Sequence, residues 1–337
     1  MKIDAGIIVN NPIEAGPAIK QLEDAGYDGA YTFEGAHDPF LPLISAAMQT
    51  SNIDLITSIA VAFARNPMTL ANIGYDLNLV SQGRFILGLG SQIKPHITKR
   101  FSMPWSSPAA RMKEMVEAIK AIWDSWQNGT KLNYRGEYYT HTLMTPFFNP
   151  GPNPHGLSKI YVAAVGPLMT QAVSESADGL LAHPFNSPKY INDVTIPIIN
   201  KGLETTGKTR DQFDLSVSVM TGIGATEETH KLAVKACRDQ VAFYGSTPNY
   251  KAVLETHGLG HLSEELNKLS KQGKWMEMGD AIDDETLKTF AVVEESPEAL
   301  AKEIKNRYGN IGQRIAPVLY SGELDLAASV LKALKTD

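Results

Sequence analysis

Two side chains that can move protons, Glu34 and His37, lie close together just after the apolar segment Gly29–Phe33. A carboxylate beside an apolar strand is costly to bury unless it is partnered, which favours a functional role or an ion pair for Glu34. An imidazole titrates near neutral pH and can give or take a proton, although a loop histidine is as often only solvated. These two residues are the candidates for catalysis.

The sequence lacks complete motifs for dinucleotide binding, metal binding and serine-type catalysis. Gly88-Leu89-Gly90 resembles part of a dinucleotide fingerprint, but the third glycine position is Ile93, and Lys94-Pro95 prevents a helix from following at once. His257 and His261 have metal-like spacing, but two glycines between them weaken any helix and no glutamate follows His257. No Gly-x-Ser-x-Gly motif is present. We therefore expect neither a metal site nor serine-type acyl transfer.

Short apolar runs alternate with amphipathic, helix-like segments along the chain. Eight runs predict strands: Ile3–Val9, Gly29–Phe33, Leu55–Ala62, Arg84–Gly90, Ile160–Ala164, Gly179–His183, Leu215–Ile223 and Ile315–Tyr320. Eight alternating units favour a closed (β/α)8 TIM barrel over an open doubly wound α/β sheet. Stretches of about 91–159, after the fourth strand, and 244–290, after the seventh, do not fit the repeat and predict insertions. Without a linker, residues 1–337 are expected to form one domain.

In such a barrel the binding site lies at the C-terminal ends of the strands. His183 ends the sixth predicted strand. After the fifth strand, Gly166-Pro167 opens a helix predicted over 168–176, whose free N–H groups suit a phosphate. Arg65, after the third strand, could bind phosphate, but an ion pair at the barrel rim is the favoured interpretation.

Composition narrows the class of protein. Apolar residues make up 43% of the chain and charged residues 20%, which is typical of globular proteins. The net charge of −6 disfavours nucleic-acid binding, and the apolar run 53–64 is too short to span a bilayer. A strand-like run from Ile3 argues against a signal peptide, so we expect a cytoplasmic enzyme. The single cysteine, Cys237, excludes an intrachain disulfide, and its place on an apolar helix face predicts core packing.

Four motifs occur in the order and at the spacing of a barrel's strands and helices. They are Ser81-Gln82-Gly83-Arg84-Phe85-Ile86-Leu87-Gly88-Leu89-Gly90, Ile160-Tyr161-Val162-Ala163-Ala164-Val165-Gly166-Pro167, Ala177-Asp178-Gly179, and the helix start Ser296-Pro297-Glu298. Together they resemble the luciferase-like oxidoreductase superfamily, in particular its coenzyme F420-dependent branch, over nearly the whole chain. Relatives also use FMN, but the Ala-Ala-x-Gly-Pro form after the fifth strand is more similar to the F420 users.

The resemblance implies particular site residues. It implies an acid at the end of the second strand, here Glu34, and a non-prolyl cis peptide bond in the third strand, best matched by Ser58–Ile59. The cofactor contacts that it implies come from Ser58, Ile59, Gly90, Ser91, Gln92, Ala163, Ala164, Val165, Gly166, Pro167 and His183. F420 enzymes that oxidise sugar phosphates carry a histidine where this chain has Gly35, which argues against a sugar-phosphate substrate.

The resemblance implies an F420-dependent oxidoreductase that moves a hydride between the deazaflavin and a small organic substrate, with Glu34 and His37 beside the reactive carbon. The alternative is an FMN-dependent monooxygenase that uses reduced flavin and oxygen. A third interpretation, a flavin-binding barrel that has lost turnover and serves as a sensor or structural subunit, is disfavoured by the polar residues at several strand ends. Because relatives are commonly dimers or larger, we expect a homo-oligomer, without nucleic-acid or membrane partners.

Overall fold

The computed structural model describes residues 1–320 and 323–336. Within these residues, eight parallel strands form a closed barrel: β1 Lys2–Gly6, β2 Gly29–Thr32, β3 Asp54–Thr57, β4 Phe85–Gly90, β5 Lys159–Ala164, β6 Gly179–Ala182, β7 Asp214–Gly222 and β8 Arg314–Leu319. Each strand pairs with the next along the chain, and β8 pairs with β1 to close the sheet. The predicted (β/α)8 TIM barrel is confirmed.

The third strand is divided into two pieces. β3 ends at Thr57, a cis peptide bond joins Ser58 to Ile59 as predicted, and Ala60–Val61 then continues beside β4. The Thr57 hydroxyl donates to the carbonyl of Gly88 at 2.8 Å and accepts the N–H of the same residue at 2.9 Å. These two bonds hold the third and fourth strands together where the third is interrupted.

Helices surround the barrel and connect its strands. They are α1 Ala15–Ala25, α2 Leu41–Gln49, α3 Pro67–Val80, α4 Pro108–Asn128, α5 Pro167–Ser176, α6 Ile196–Thr205, α7 Glu227–Gly245, α8 Lys251–Glu255, α9 Gly260–Lys271, α10 Trp275–Asp280, α11 Asp284–Phe290, α12 Pro297–Tyr308 and α13 Leu324–Lys335. Helices α3 and α12 begin with a side-chain cap followed by proline. The Asn66 side chain accepts the N–H of Thr69 at 2.9 Å, and Ser296 accepts that of Ala299 at 3.2 Å. Such caps satisfy backbone donors that the helix itself leaves free.

The base of the barrel is closed by charged side chains. Arg314 of β8, 3% exposed, donates to both carboxylate oxygens of Asp4 at 2.7 Å and to Asp54 at 2.6 Å. A guanidinium is tolerated at this depth because it is paired and hydrogen-bonded. A layer of buried side chains fills the barrel above it: Ile56, Ile86, Tyr161 and Leu181. This end contributes stability and leaves the opposite end for binding.

The two stretches expected as insertions differ in character. Helix α4 lies within 91–159 but is a regular barrel helix, because it packs between α3 and α5. The additional chain there is 91–107 and 129–158, which includes a short hairpin that pairs Tyr134 with His141. The second stretch, 244–290, contains helices α8 to α11, and the strand Ala291–Val293 that follows pairs with β7 beyond the end of β6.

Cys237 on α7 is fully buried, as predicted. Burial raises the pKa of its thiol to about 12. None of the helices in the described part of the chain is long and apolar enough to cross a bilayer.

Candidate active site

The C-terminal mouth of the barrel is open to solvent. Ser58 on the third strand, Ala163 on β5 and His183 after β6 are half-buried. One layer below, on the same strands, Ile56 is 2% exposed and Leu181 is 7% exposed. Because alternate residues of a strand face the barrel interior, this change in exposure indicates that the interior opens toward solvent at the C-terminal face.

Glu34 follows β2 and is tied to the interrupted third strand. Its backbone N–H donates to the carbonyl of Ile59 at 3.0 Å. Its carboxylate Oε2 accepts the N–H of Val61 at 2.7 Å and Nη1 of Arg65 at 2.6 Å. The Glu34 side chain is only 6% exposed, so these bonds supply the partners that a buried carboxylate needs.

Arg65 links two acidic residues at the rim. Its Nη2 donates to Asp38 Oδ2 at 2.9 Å, in addition to the pair with Glu34, and its guanidinium lies 5.2 Å from the ring centre of Phe40. The other oxygen of Asp38 accepts the N–H of Phe40 at 2.8 Å. The ion pair predicted for Arg65 is confirmed. The carboxylates of Glu34 and Asp38 compensate the charge of the guanidinium at the barrel rim.

His37 lies between these anchors. Its side chain is exposed and makes no hydrogen bond with any residue that the structure describes. On the other side, Arg100 from the segment after β4 donates to the carbonyl of Gly35 at 2.7 Å. The loop is therefore held at Glu34, Gly35 and Asp38, while the imidazole remains accessible to a ligand.

The glycines that end β4 are required by packing against the third strand. A Cβ built on Gly88 would lie 1.6 Å from a carbonyl oxygen of β3, and one on Gly90 would lie 2.8 Å from a side-chain carbon of Ile59. The next two residues, Ser91 and Gln92, are half-buried at the mouth, and Gln92 has a positive φ of 57°. Within the turn, the Ser91 hydroxyl donates to the carbonyl of Gln92 at 3.2 Å, and the Gln92 side-chain oxygen accepts the N–H of Ile93 at 3.0 Å.

The turn after β5 presents an uncapped helix N-terminus. The Tyr190 hydroxyl donates to the carbonyl of Val165 at 2.8 Å and fixes the backbone there. Gly166 is the N-cap of α5 and has no side chain to accept the free N–H groups, unlike Asn66 and Ser296 on their helices. A Cβ built on Gly166 would meet nothing within 4 Å, so the space before the helix is open.

His183 is held as a neutral donor. Its Nδ1 accepts the N–H of Phe185 at 3.1 Å, so the ring proton is on Nε2. Burial lowers the pKa of His183 to about 4. The ring lies 4.5 Å from that of Tyr244 and 4.7 Å from that of Tyr250. At neutral pH this histidine therefore carries no charge, and its Nε2–H is available as a donor.

The histidines with metal-like spacing do not act together. Nε2 of His257 lies 2.7 Å from the hydroxyl of Ser187, which also caps the short helix after β6, whereas His261 is exposed. In residues 1–320 and 323–336, no group of three or more His, Cys, Asp and Glu side chains is placed to hold a metal ion. His257 instead joins the second additional segment to the loop after β6.

Three tyrosines at the mouth were missed by the sequence analysis: Tyr31 on β2, Tyr244 near the end of α7, and Tyr320 after β8. Each is half-buried. Tyr320 is the last residue of the eighth predicted strand, which was a usable signal, since the ends of barrel strands form the site. The inward direction of Tyr31 depends on which residues of a short strand face the core, which the sequence did not show.

Comparison with known proteins shows to which family the chain belongs. A sequence profile described as luciferase-like monooxygenase matches residues 8–314. The chain belongs to the luciferase-like monooxygenase family. An uncharacterized protein of Mycobacterium tuberculosis is 48% identical to this family member over 98% of this chain and 97% of the relative. The 5,10-methylenetetrahydromethanopterin reductase of Archaeoglobus fulgidus is 30% identical over 81% of this chain and 80% of the relative.

Solved structures share the fold of this luciferase-like protein. The coenzyme F420-dependent tetrahydromethanopterin reductase from Methanopyrus kandleri superposes with a TM-score of 0.80 and 21% identity, over 99% of this chain and 98% of that one. The oxygenating constituent of 3,6-diketocamphane monooxygenase from Pseudomonas putida, in complex with FMN, superposes with a TM-score of 0.69 and 15% identity, over 100% and 97% of the two chains. The fold thus serves proteins that use F420 and proteins that use FMN, and the expectation of an oxidoreductase agrees with both.

Proposed function

We propose that this luciferase-like protein is an F420-dependent oxidoreductase that transfers a hydride between the deazaflavin and a small organic substrate. The observation that carries the proposal is the uncapped N-terminus of α5 at Gly166, which opens beside the solvent-accessible inner layer of the barrel mouth. A phosphate-bearing cofactor with a planar ring needs both features side by side. The Archaeoglobus fulgidus relative, a methylenetetrahydromethanopterin reductase, supports reductase chemistry.

The residues present fit such a cofactor. Ser58 and Ala163 are small and half-buried, so the inner layer of the mouth leaves room for a planar ring. The open N-terminus of α5 offers backbone N–H groups and the positive end of the helix dipole to a phosphate. Ser91 and Gln92 add half-buried polar side chains on the neighbouring strand.

The bound deazaflavin supplies the carbon that accepts or donates the hydride, and the protein supplies position and proton handling. With a substrate alcohol, the accessible imidazole of His37 would take the hydroxyl proton as the hydride leaves the carbon that bears this hydroxyl, and it would return the proton to the carbonyl oxygen in the reverse direction. Glu34 is a positioning residue, because its carboxylate holds Val61 and Arg65 in place. Nδ1 of His183 already accepts the N–H of Phe185, so its Nε2–H would be the donor to an acceptor atom of the bound cofactor.

Binding of the cofactor tests the proposal directly. Oxidised F420 and oxidised FMN are titrated separately into the protein over the same concentration range, and quenching of intrinsic fluorescence is followed. We expect saturable quenching by F420 at concentrations well below those needed for FMN. Tight binding of FMN without F420 binding would replace the proposal by an FMN-dependent monooxygenase, which oxygen uptake with reduced FMN then verifies.

His37 is tested separately from cofactor binding. A His37→Gln variant should bind F420 with unchanged affinity, because the side chain makes no contact that holds the fold. Its turnover should fall by about 100-fold or more, the usual contribution of a general acid–base group. Unchanged turnover would remove His37 from the mechanism.

A further inference from the structure

The turn after β5, residues 163–167, holds several of the predicted cofactor contacts but lies at the edge of the sheet. The last residues paired between β5 and β6 are Ala164 and Ala182, so Val165 and Gly166 lie beyond that ladder. A backbone carbonyl that leaves a ladder needs another partner. The shape of the turn therefore depends on contacts from other parts of the chain.

Tyr190 supplies that partner. Its hydroxyl donates to the carbonyl of Val165 at 2.8 Å, and the residue is 2% exposed. The Val165–Gly166 peptide bond is trans, so its N–H points opposite to its carbonyl. By fixing this carbonyl, Tyr190 also fixes the direction of the Gly166 N–H at the start of α5.

The loop after β6 holds Tyr190 in place. Tyr190 ends the short helix Pro188–Tyr190, and its N–H donates to Ser187 Oγ at 3.1 Å. Asn186, 4% exposed, donates from Nδ2 to the carbonyl of His183 at 2.6 Å and to that of Ser218 on β7 at 3.0 Å. The loop that presents Tyr190 to the turn is thus tied to the neighbouring strand.

His257 connects this loop to the second additional segment, residues 244–290. Nε2 of His257 lies 2.7 Å from Ser187 Oγ, and the imidazole meets the ring of Phe290 edge-on, with 5.3 Å between ring centres. Val253 and Leu254 of α8 are fully buried in the same cluster as the Tyr190 ring, and Val165 packs against that cluster. The segment therefore builds a second core around the loop and the turn.

We propose that the second additional segment sets the affinity of the turn after β5 for the cofactor phosphate, with His257, Ser187 and Tyr190 as positioning residues. The connection is continuous: 2.7 Å from His257 to Ser187, 3.1 Å from Ser187 to the N–H of Tyr190, and 2.8 Å from the Tyr190 hydroxyl to Val165. The three side chains act through the backbone of the turn, not by contact with the cofactor. This inference rests on the proposed function, which assigns the phosphate to the N-terminus of α5.

Two probes that differ only in the phosphate-bearing tail test the role of Tyr190. They are oxidised F420 and the same deazaflavin with a free ribityl chain and no phosphate, each titrated by quenching of intrinsic fluorescence. In Tyr190→Phe, F420 affinity should fall about threefold to tenfold, the effect of one lost hydrogen bond, while affinity for the phosphate-free probe is unchanged. Equal weakening of both probes would indicate a merely structural role and overturn the proposal, as would no weakening of F420.

Tyr27→Phe is the matched control. The Tyr27 hydroxyl also donates to a backbone carbonyl, that of Ala327 at 3.4 Å, but Tyr27 precedes β2 at the opposite end of the barrel. Its loss should leave the affinity for both probes unchanged. Urea unfolding of both variants shows whether each remains folded under the conditions of the titration.

His257→Phe tests the connection to the second additional segment. The ring still packs against Phe290 but no longer meets Ser187, and F420 affinity should fall about twofold or more. Because His257 and Tyr190 act on the same carbonyl, the double variant should bind F420 no more weakly than Tyr190→Phe alone. Additive losses, or full F420 affinity in His257→Phe, would remove the segment from the proposal.

Failure of the proposed function gives a different result from failure of this inference. If the wild-type protein binds FMN and not F420, the proposed function is contradicted alone, and FMN with riboflavin becomes the matched pair for the same variants. If F420 binds the wild type and Tyr190→Phe equally well, only the positioning role is wrong. Binding of neither cofactor would contradict both.

Discussion

Nη1 of Arg65 lies 2.6 Å from Oε2 of Glu34, and the two residues join the loops after β3 and β2 at the barrel mouth. The same carboxylate oxygen accepts the backbone N–H of Val61. Glu34 therefore holds the interrupted third strand in place, whereas the side chain of His37, three residues later, is exposed. The two candidates for catalysis have different environments, and the different roles that we propose for them rest on that difference.

Removing Arg65 should destabilise the protein through the carboxylate that it leaves behind. Arg65→Met leaves Glu34 buried without a counter-ion, and we expect a loss of about 2–4 kcal/mol in the free energy of unfolding, measured with urea. Lys231→Met is the control, because Lys231 pairs with Glu227 on the surface and both side chains are exposed. Equal stability of the two variants would show that the Glu34–Arg65 pair contributes little.

Gly166→Ser should affect stability and cofactor affinity in opposite directions. A serine at the N-cap accepts a free N–H of α5, which leaves stability unchanged or slightly higher. The same bond competes with the phosphate of F420, and we expect affinity to fall about tenfold, equivalent to about 1.4 kcal/mol. Fluorescence titration and urea unfolding measure the two effects.

Ser296→Ala is the contrasting variant at another helix start. It removes the cap of α12 and should lower stability by about 1 kcal/mol with no change in F420 affinity. Unchanged affinity in Gly166→Ser would place the phosphate away from α5.

His183 should make stability depend on pH below neutrality. Its pKa is lowered to about 4 by burial, from an ordinary value of 6.5, so the unfolded chain binds a proton over this interval and the folded protein does not. The contribution of His183 to the free energy of unfolding is fully present above pH 6.5. It decreases by about 2–3 kcal/mol in total as the pH falls toward 4. Urea unfolding at several pH values measures the slope. His183→Gln should remove this contribution, whereas His37→Gln, on an exposed loop, should retain it.

Cys237 should be chemically inert in the folded protein. Burial raises the pKa of its thiol to about 12, and it lies in the core, so a thiol reagent such as Ellman's reagent should react only after unfolding. Cys237→Ala should lower stability by about 1 kcal/mol, from the lost packing, and leave F420 binding unchanged. Rapid reaction of the native thiol would show that the region around α7 opens.

Much of the barrel and part of the site could be predicted from local sequence. The eight apolar runs give the eight strands because each is buried by its neighbours, although the predicted run Leu55–Ala62 is interrupted at Ser58–Ile59 in the structure. Gly166 before Pro167 could be identified as a helix start because capping is a local property. The sequence also located the two additional segments. It did not show that α4, within the first of them, is a regular barrel helix, since this depends on its packing against α3 and α5.

The sequence by itself determined the fold class, the helix starts and the acid at the end of β2, because periodicity, capping and burial of apolar runs act over a few neighbouring residues. Only the tertiary structure decided that Arg65 joins Glu34 to Asp38, that His183 is held neutral by Phe185 and burial, and that Tyr190 holds the carbonyl of Val165. These relationships depend on which strands become neighbours when the sheet closes and on which side of each strand faces inward. Such long-range geometry sets the charge and proton state of the mouth, and with them the chemistry available there.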